Sequence, residues 1–162
     1  MVLIIGILAS VALPQYQKAV QKARAVEILA NVNALTKSAE LYLLRGDKET
    51  IGHDAAEVPI TGCVFPGDDI IHRYCYTNKA YYAFWCENGN RCHLEANHVE
   101  GCIVNGALDR SKCNWNHEWT ISRGWVDGQK VRNECYTELT DTGRVICKNL
   151  ESQGFEYMDR GS

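Results

Sequence analysis

From Met1 to Arg45 the chain holds a single glycine, Gly6, and a single proline, Pro14, before it meets Gly46 in LLRGDKE. So long a run with so few breakers predicts one helix over residues 1–45, with Gly46 as its C-terminal stop. The two halves of this helix differ in kind. Residues 1–14 are apolar and carry no charge, whereas residues 15–45 are charged and amphipathic. The stretch Met1 to Leu13 would be about 20 Å long as a helix, short of the roughly 20 residues that span a bilayer. It has no basic flank and no small-residue cleavage site, so it does not read as a secretion signal. Pro14 removes one backbone hydrogen bond and crowds the preceding turn.

Placed at about 100° per residue, residues 15–45 show two apolar faces. Ala25, Ile28, Val32, Leu35, Ala39 and Tyr42 step by three or four along one. Ala19, Ala23, Val26, Ala30, Ala34 and Leu41 form the other, nearly opposite and mostly small. Polar seams run between them, one with Lys18, Lys22, Asn33, Thr36 and Glu40, the other with Glu27, Asn31 and Ser38. Packing against a single core needs one stripe. Two stripes imply either two partners or a central helix covered on both sides within one domain. Small side chains on the second face suit close approach by other helices.

Eight cysteines follow, at positions 63, 75, 86, 92, 102, 113, 135 and 147, and none precedes residue 63. Their even number and the lack of a CxxC favour four disulfides over zinc, although Cys92, His93, His98 and Cys102 could be forced into a metal site. Disulfides on that scale imply an oxidising compartment. Residues 1–45 carry five basic and two acidic side chains, and residues 46–162 carry twelve and eighteen. A basic helix thus precedes an acidic body, which argues against dedicated nucleic-acid binding.

The body, residues 46–162, reads as β-rich. Residues 47–78 are a loop-rich connection with Pro59, Gly62 and Pro66. Lys79–Glu87 and Arg91–Ala96 flank NGN as a hairpin that sets Cys86 across from Cys92. Trp115, His117, Trp119 and Ile121 alternate along a further strand. Val131–Leu139 and Arg144–Lys148 read as strands joined through TDTG, which brings Cys135 to Cys147. Cys63, Cys75, Cys102 and Cys113 have no assigned partners at this stage. Gly154–Ser162 reads as an exposed tail. The expected class is α+β: a long N-terminal helix packed on an antiparallel sheet, with a disulfide-rich head.

The stretch GILASVALPQYQKAVQKARAVE, an apolar run ending in Gly-Ile-Leu-Ala-x-x-Ala-x-Pro and followed by an Ala-rich polar helix, resembles the N-terminal helix of type IV pilins and type II secretion pseudopilins. The resemblance covers about the first 45 residues; the body is similar only in layout. It implies a subunit held in the inner membrane before assembly, then drawn by pilus assembly machinery into an extracellular helical filament on the cell surface. Val2, Leu3, Ile4, Ile5, Ile7, Leu8, Val11 and Leu13 would form the filament core, as a homo-oligomer. Ala19, Ala23, Val26, Ala30 and Ala34 would touch neighbouring subunits. Gly6 and Pro14 mark the helix break, a local loss of helix expected once the chain is in a filament. The family's leader, methylated aromatic and first-turn glutamate correspond to no residue here, because Met1 aligns inside the family's mature helix.

His53, His72, His93, His98 and His117 are scattered, with no Ser/His/Asp or Cys/His spacing, and they read as surface or packed residues. Asp68, Asp69, Asp127 and Asp141 lie beside or near glycines. They could help to hold calcium, as pseudopilin bodies often do, but none has EF-hand spacing and all read better as turn residues. Trp85, Trp115, Trp119 and Trp125 read as core. The expectation is a structural subunit without catalytic activity, cofactor or resident metal: first a major pilin serving adhesion, motility or DNA uptake, next a minor pilin or secretion pseudopilin. From a different class, a membrane-tethered extracellular binding module would fit the same helix.

Overall fold

The computed structural model describes residues 2–45, 60–64, 73–87, 91–114, 119–137 and 140–159. Helix α1 spans Val2–Arg45. Strands β1 (Arg73–Tyr76), β2 (Ala80–Glu87) and β3 (Arg91–His98) follow, then a small hairpin of β4 (Ile103–Val104) and β5 (Ala107–Leu108). Next come β6 (Thr120–Val126), β7 (Gln129–Thr137), helix α2 (Asp141–Glu151) and β8 (Glu156–Asp159). The main sheet has the order β1-β2-β3-β6-β7-β8.

Four of its five pairings are antiparallel, and β7 pairs with β8 in parallel. The sheet is therefore mixed, which corrects the antiparallel expectation. A parallel neighbour needs a crossover, and α2 supplies it. Two further readings change with it. The stretch Arg144–Lys148 is helix rather than strand. Thr140 caps that helix, its side chain accepting from the Gly143 N–H at 3.0 Å, and Asp141 sits in the first turn. The run Val145-Ile146-Cys147 is too short to separate helix from strand by period, and packing settles it by burying Ile146, Cys147 and Leu150. The supposed exposed tail contains β8, whose Cys135↔Tyr157 and Tyr136↔Met158 register adds an edge strand. Within the stretch read as loop, Arg73–Tyr76 forms β1.

Strands β2 and β3 pair antiparallel as read, with Cys86 directly across from Cys92; the NGN residues between them lie outside the described residues. A second tight hairpin joins β6 to β7 through Asp127 and Gly128, at φ of 50° and 79°. Both left-handed positions suit the type I′ turn that Asp-Gly favours. Asp127 is thus a turn residue, whereas Asp141 is helical. Asp68 and Asp69 lie outside the described residues.

All eight cysteines pair: Cys63–Cys75, Cys86–Cys92, Cys102–Cys113 and Cys135–Cys147. Each bond joins neighbours in the order of the sequence. Cys135–Cys147 links strand to helix rather than strand to strand. The core lies between α1 and the sheet, where Ile28, Val32 and Leu35 meet Leu94, Ile121 and Trp125.

Candidate assembly surface

The two apolar faces of α1 separate cleanly by burial. Ala25, Ile28, Val32, Leu35 and Ala39 are buried against the head, joined by Leu29 and by Thr36 from a polar seam. The side-chain surroundings of Tyr42 lie outside the described residues. Opposite, Ala19, Ala23 and Ala30 are exposed and Ala34 is half-buried. Val26 is 68% exposed and Leu41 is 60% exposed. Among the described residues, then, the head covers one stripe of α1 and leaves the second open.

Among the described residues of α1, the side chains buried by the head run from Ala25 to Ala39. Every described side chain from Ser10 to Ala19 is exposed, and the first buried one is Ala25. Val11, Leu13 and Tyr16 are exposed large side chains on this projecting part. Val2, Leu3, Ile4, Ile5, Ile7 and Leu8 are helical, as is Gly6; their side chains lie outside the described residues. Helix α1 passes through Pro14 without interruption in the single chain. The loss of helix around Gly6 and Pro14 was expected of the assembled state. Among the described residues no helix is long and apolar enough to cross a membrane.

A ladder of polar contacts fixes which face of α1 meets the head. Arg24 pairs with Glu100, and Glu27 with Lys79. Asn31 donates through Nδ2 to the Tyr82 hydroxyl at 2.9 Å. Asn33 Oδ1 and Thr36 Oγ1 accept from the two terminal nitrogens of Arg123, and Glu40 lies 3.4 Å from Lys130. The exposed ion pairs contribute little each, but the buried contacts have a larger effect. Burial pushes the Tyr82 hydroxyl up to about 12, against the lowering effect of its Asn31 bond. Burial pulls the Arg123 guanidinium below its ordinary value, opposed by the nearby Glu40 charge. Arg123 was not singled out by the sequence reading. The signal was present in Thr120–Val126, where Ile121 and Trp125 flank it at the period-2 positions of the buried face.

The other candidates resolve as packing. His98 is buried and stacks on Trp119 with ring centroids 5.6 Å apart, and His93 stacks on Trp85 at 5.1 Å. Trp119 and Trp125 are fully buried and Trp85 is half-buried. His53, His72, Trp115 and His117 lie outside the described residues. Among the described residues no group of three or more His, Cys, Asp or Glu side chains could hold a metal ion.

Compared with known proteins, the chain matches no family model, no curated protein and no solved structure at a significant level.

Proposed function

We propose that this chain is a structural subunit of a type IV pilin-like helical filament, polymerising through α1 and carrying no catalytic activity. The observation that supports this best is the open second face of α1, with Val26 at 68% and Leu41 at 60% exposure. Extended exposed apolar surface on a soluble body marks an interaction site. Fully burying one such aliphatic side chain stabilises by roughly 1.5–3 kcal/mol, so a few per subunit favour assembly. The apolar half, residues 1–14, would pack at the filament centre after residence in the inner membrane, with the disulfide-bonded heads facing water outside the cell. Gly6 and Pro14 would let the helix open there once neighbours surround it. The membrane-tethered monomeric module is weaker, because a monomer gains nothing from the second face. Electron microscopy of sheared surface material from cells making the complete chain tests the reading. Thin fibres labelled by an antibody to the head are expected, and surface extracts holding only monomers would overturn it.

A further inference from the structure

Lys18, Gln21 and Lys22 of α1 face Asp141, Thr142 and Val145 of α2 across a hollow of about 100 Å³. The two lysines stand one turn apart and both are exposed. Neither has an ion-pair partner among the described residues. They differ in this from Arg24, Glu27 and Glu40, whose charges are met by Glu100, Lys79 and Lys130 of the head. The Asp141 side chain is fully exposed and lies 3.8 Å from Arg144 Nη1, so its charge is met by that arginine and not by the lysines. Gln21 Oε1 is buried and accepts no hydrogen bond among the described residues. A buried carbonyl oxygen without a donor is costly. The hollow thus offers two cations to an anion and one acceptor to a hydroxyl or N–H.

The position of these groups along α1 selects the anion. Lys18 is the first charged side chain of the chain, and residues 1–14 are uncharged and apolar. Along the helix Lys18 lies about 7.5 Å beyond Leu13 and Lys22 about 13.5 Å beyond it. With residues 1–14 in the bilayer, Lys18 stands within the headgroup layer, which is about 5–8 Å deep on each side. Helical side chains lean toward the helix N-terminus and long lysine stems reach to a polar layer, which brings Lys22 back toward the same level. The body, with twelve basic and eighteen acidic side chains, repels anionic lipid, so the attraction is confined to the foot of the stalk. We propose that this hollow holds the phosphoglycerol headgroup of an anionic phospholipid while the subunit resides in the membrane. The phosphodiester anion lies between the Lys18 and Lys22 ammonium groups, and a glycerol hydroxyl donates to Gln21 Oε1. A cavity of about 150 Å³ takes a benzene ring, so this smaller hollow suits a three-carbon glycerol end and not a ring-bearing sugar headgroup. The site rests on the membrane residence in the filament reading and belongs to the subunit before assembly.

To test this, the complete chain is inserted into nanodiscs holding equal amounts of phosphatidylglycerol, phosphatidylmethanol and phosphatidylcholine, and the lipid retained by the released chain is counted by native mass spectrometry. Phosphatidylglycerol should exceed phosphatidylcholine about tenfold or more, from two lysines near the surface. It should exceed phosphatidylmethanol, which has the same charge and no headgroup hydroxyl, about threefold, the effect of one hydrogen bond. Lys18→Gln with Lys22→Gln should abolish the preference for both anionic lipids, and Gln21→Met only the preference over phosphatidylmethanol. Lys37→Gln, exposed on α1 far from the hollow, should change neither. Excess glycerol 3-phosphate should not displace the lipid. Equal retention of the three lipids by the unaltered chain overturns the site while leaving the filament reading intact. So does a lack of effect from the Lys18, Lys22 or Gln21 replacements, an equal loss from Lys37→Gln, or displacement by glycerol 3-phosphate. A complete chain that does not enter the bilayer overturns the membrane residence, and the lipid site with it.

Discussion

Arg123 of β6 donates through Nη1 to the Thr36 hydroxyl of α1 at 2.5 Å, across 87 positions of the chain. The same guanidinium donates through Nη2 to Asn33 Oδ1 and through Nε to Asn133 Oδ1, both at 2.9 Å. Its carbon centre lies 5.0 Å from the Phe155 ring centroid. One planar cation thus joins α1, β6, β7 and the segment that follows α2. A lysine has a single nitrogen and cannot reproduce that fork. Arg123→Lys should therefore lower the unfolding free energy by about 2–4 kcal/mol, since hydrogen bonds to charged groups contribute roughly 1.5–3 kcal/mol each. Urea unfolding under non-reducing conditions checks this, and a loss below about 1 kcal/mol would contradict the anchoring role.

The two faces of α1 should respond oppositely to substitution. Ile28 is 1% exposed and Val26 is 68% exposed. Ile28→Ala leaves a cavity in the core and should cost about 2–5 kcal/mol. Val26→Asp should change monomer stability by no more than about 0.5 kcal/mol and suppress fibres. Thermal melts of the head, run beside fibre counts by electron microscopy, separate the two effects. Normal fibres from Val26→Asp would remove the second face from the assembly contact.

Alkaline pH should weaken the fold through Tyr82. Its folded pKa is raised from 10.0 to about 12 by burial. A raised value means the folded state favours the neutral phenol, so its contribution is complete below pH 10 and is lost as pH rises through about 12. At about 1.4 kcal/mol per pKa unit, stability relative to Tyr82→Phe should fall by about 2–3 kcal/mol across that window. Denaturant midpoints of both proteins, measured at several pH values, supply the comparison. A pH-independent difference would contradict the burial argument.

Cys135–Cys147 ties β7 to α2, and with it the crossover that delivers β8. Replacing both cysteines by serine releases a loop with a sequence separation of 12, which on chain-entropy grounds should cost about 3 kcal/mol. Hydrogen exchange should then show α2 and β8 losing protection before the β2–β3 hairpin does. Equal loss throughout the sheet would mean that the crossover is not a separate cooperative unit.

What the sequence determined by itself was whatever neighbours in the chain can enforce. The 3.6-residue period marked Ala25, Ile28, Val32, Leu35, Ala39 and Tyr42 as one of two apolar faces; the first five are buried, and the side chain of Tyr42 lies outside the described residues. The two strand-like runs around NGN placed Cys86 opposite Cys92, and the strands pair in that register. Even at short range the reading had limits: Thr140 and Asp141 carried the cap signal for α2, yet Val145-Ile146-Cys147 suited a strand equally well. Tertiary structure alone decided the rest. Strand β8 gains its hydrogen bonds only when α2 carries the chain back beside β7 in parallel. Arg123 can be buried only because α1 brings Thr36 and Asn33 to it from about ninety positions away. Periodicity and turn chemistry act over a few residues, whereas an edge strand or a buried cation depends on partners that only the completed packing supplies.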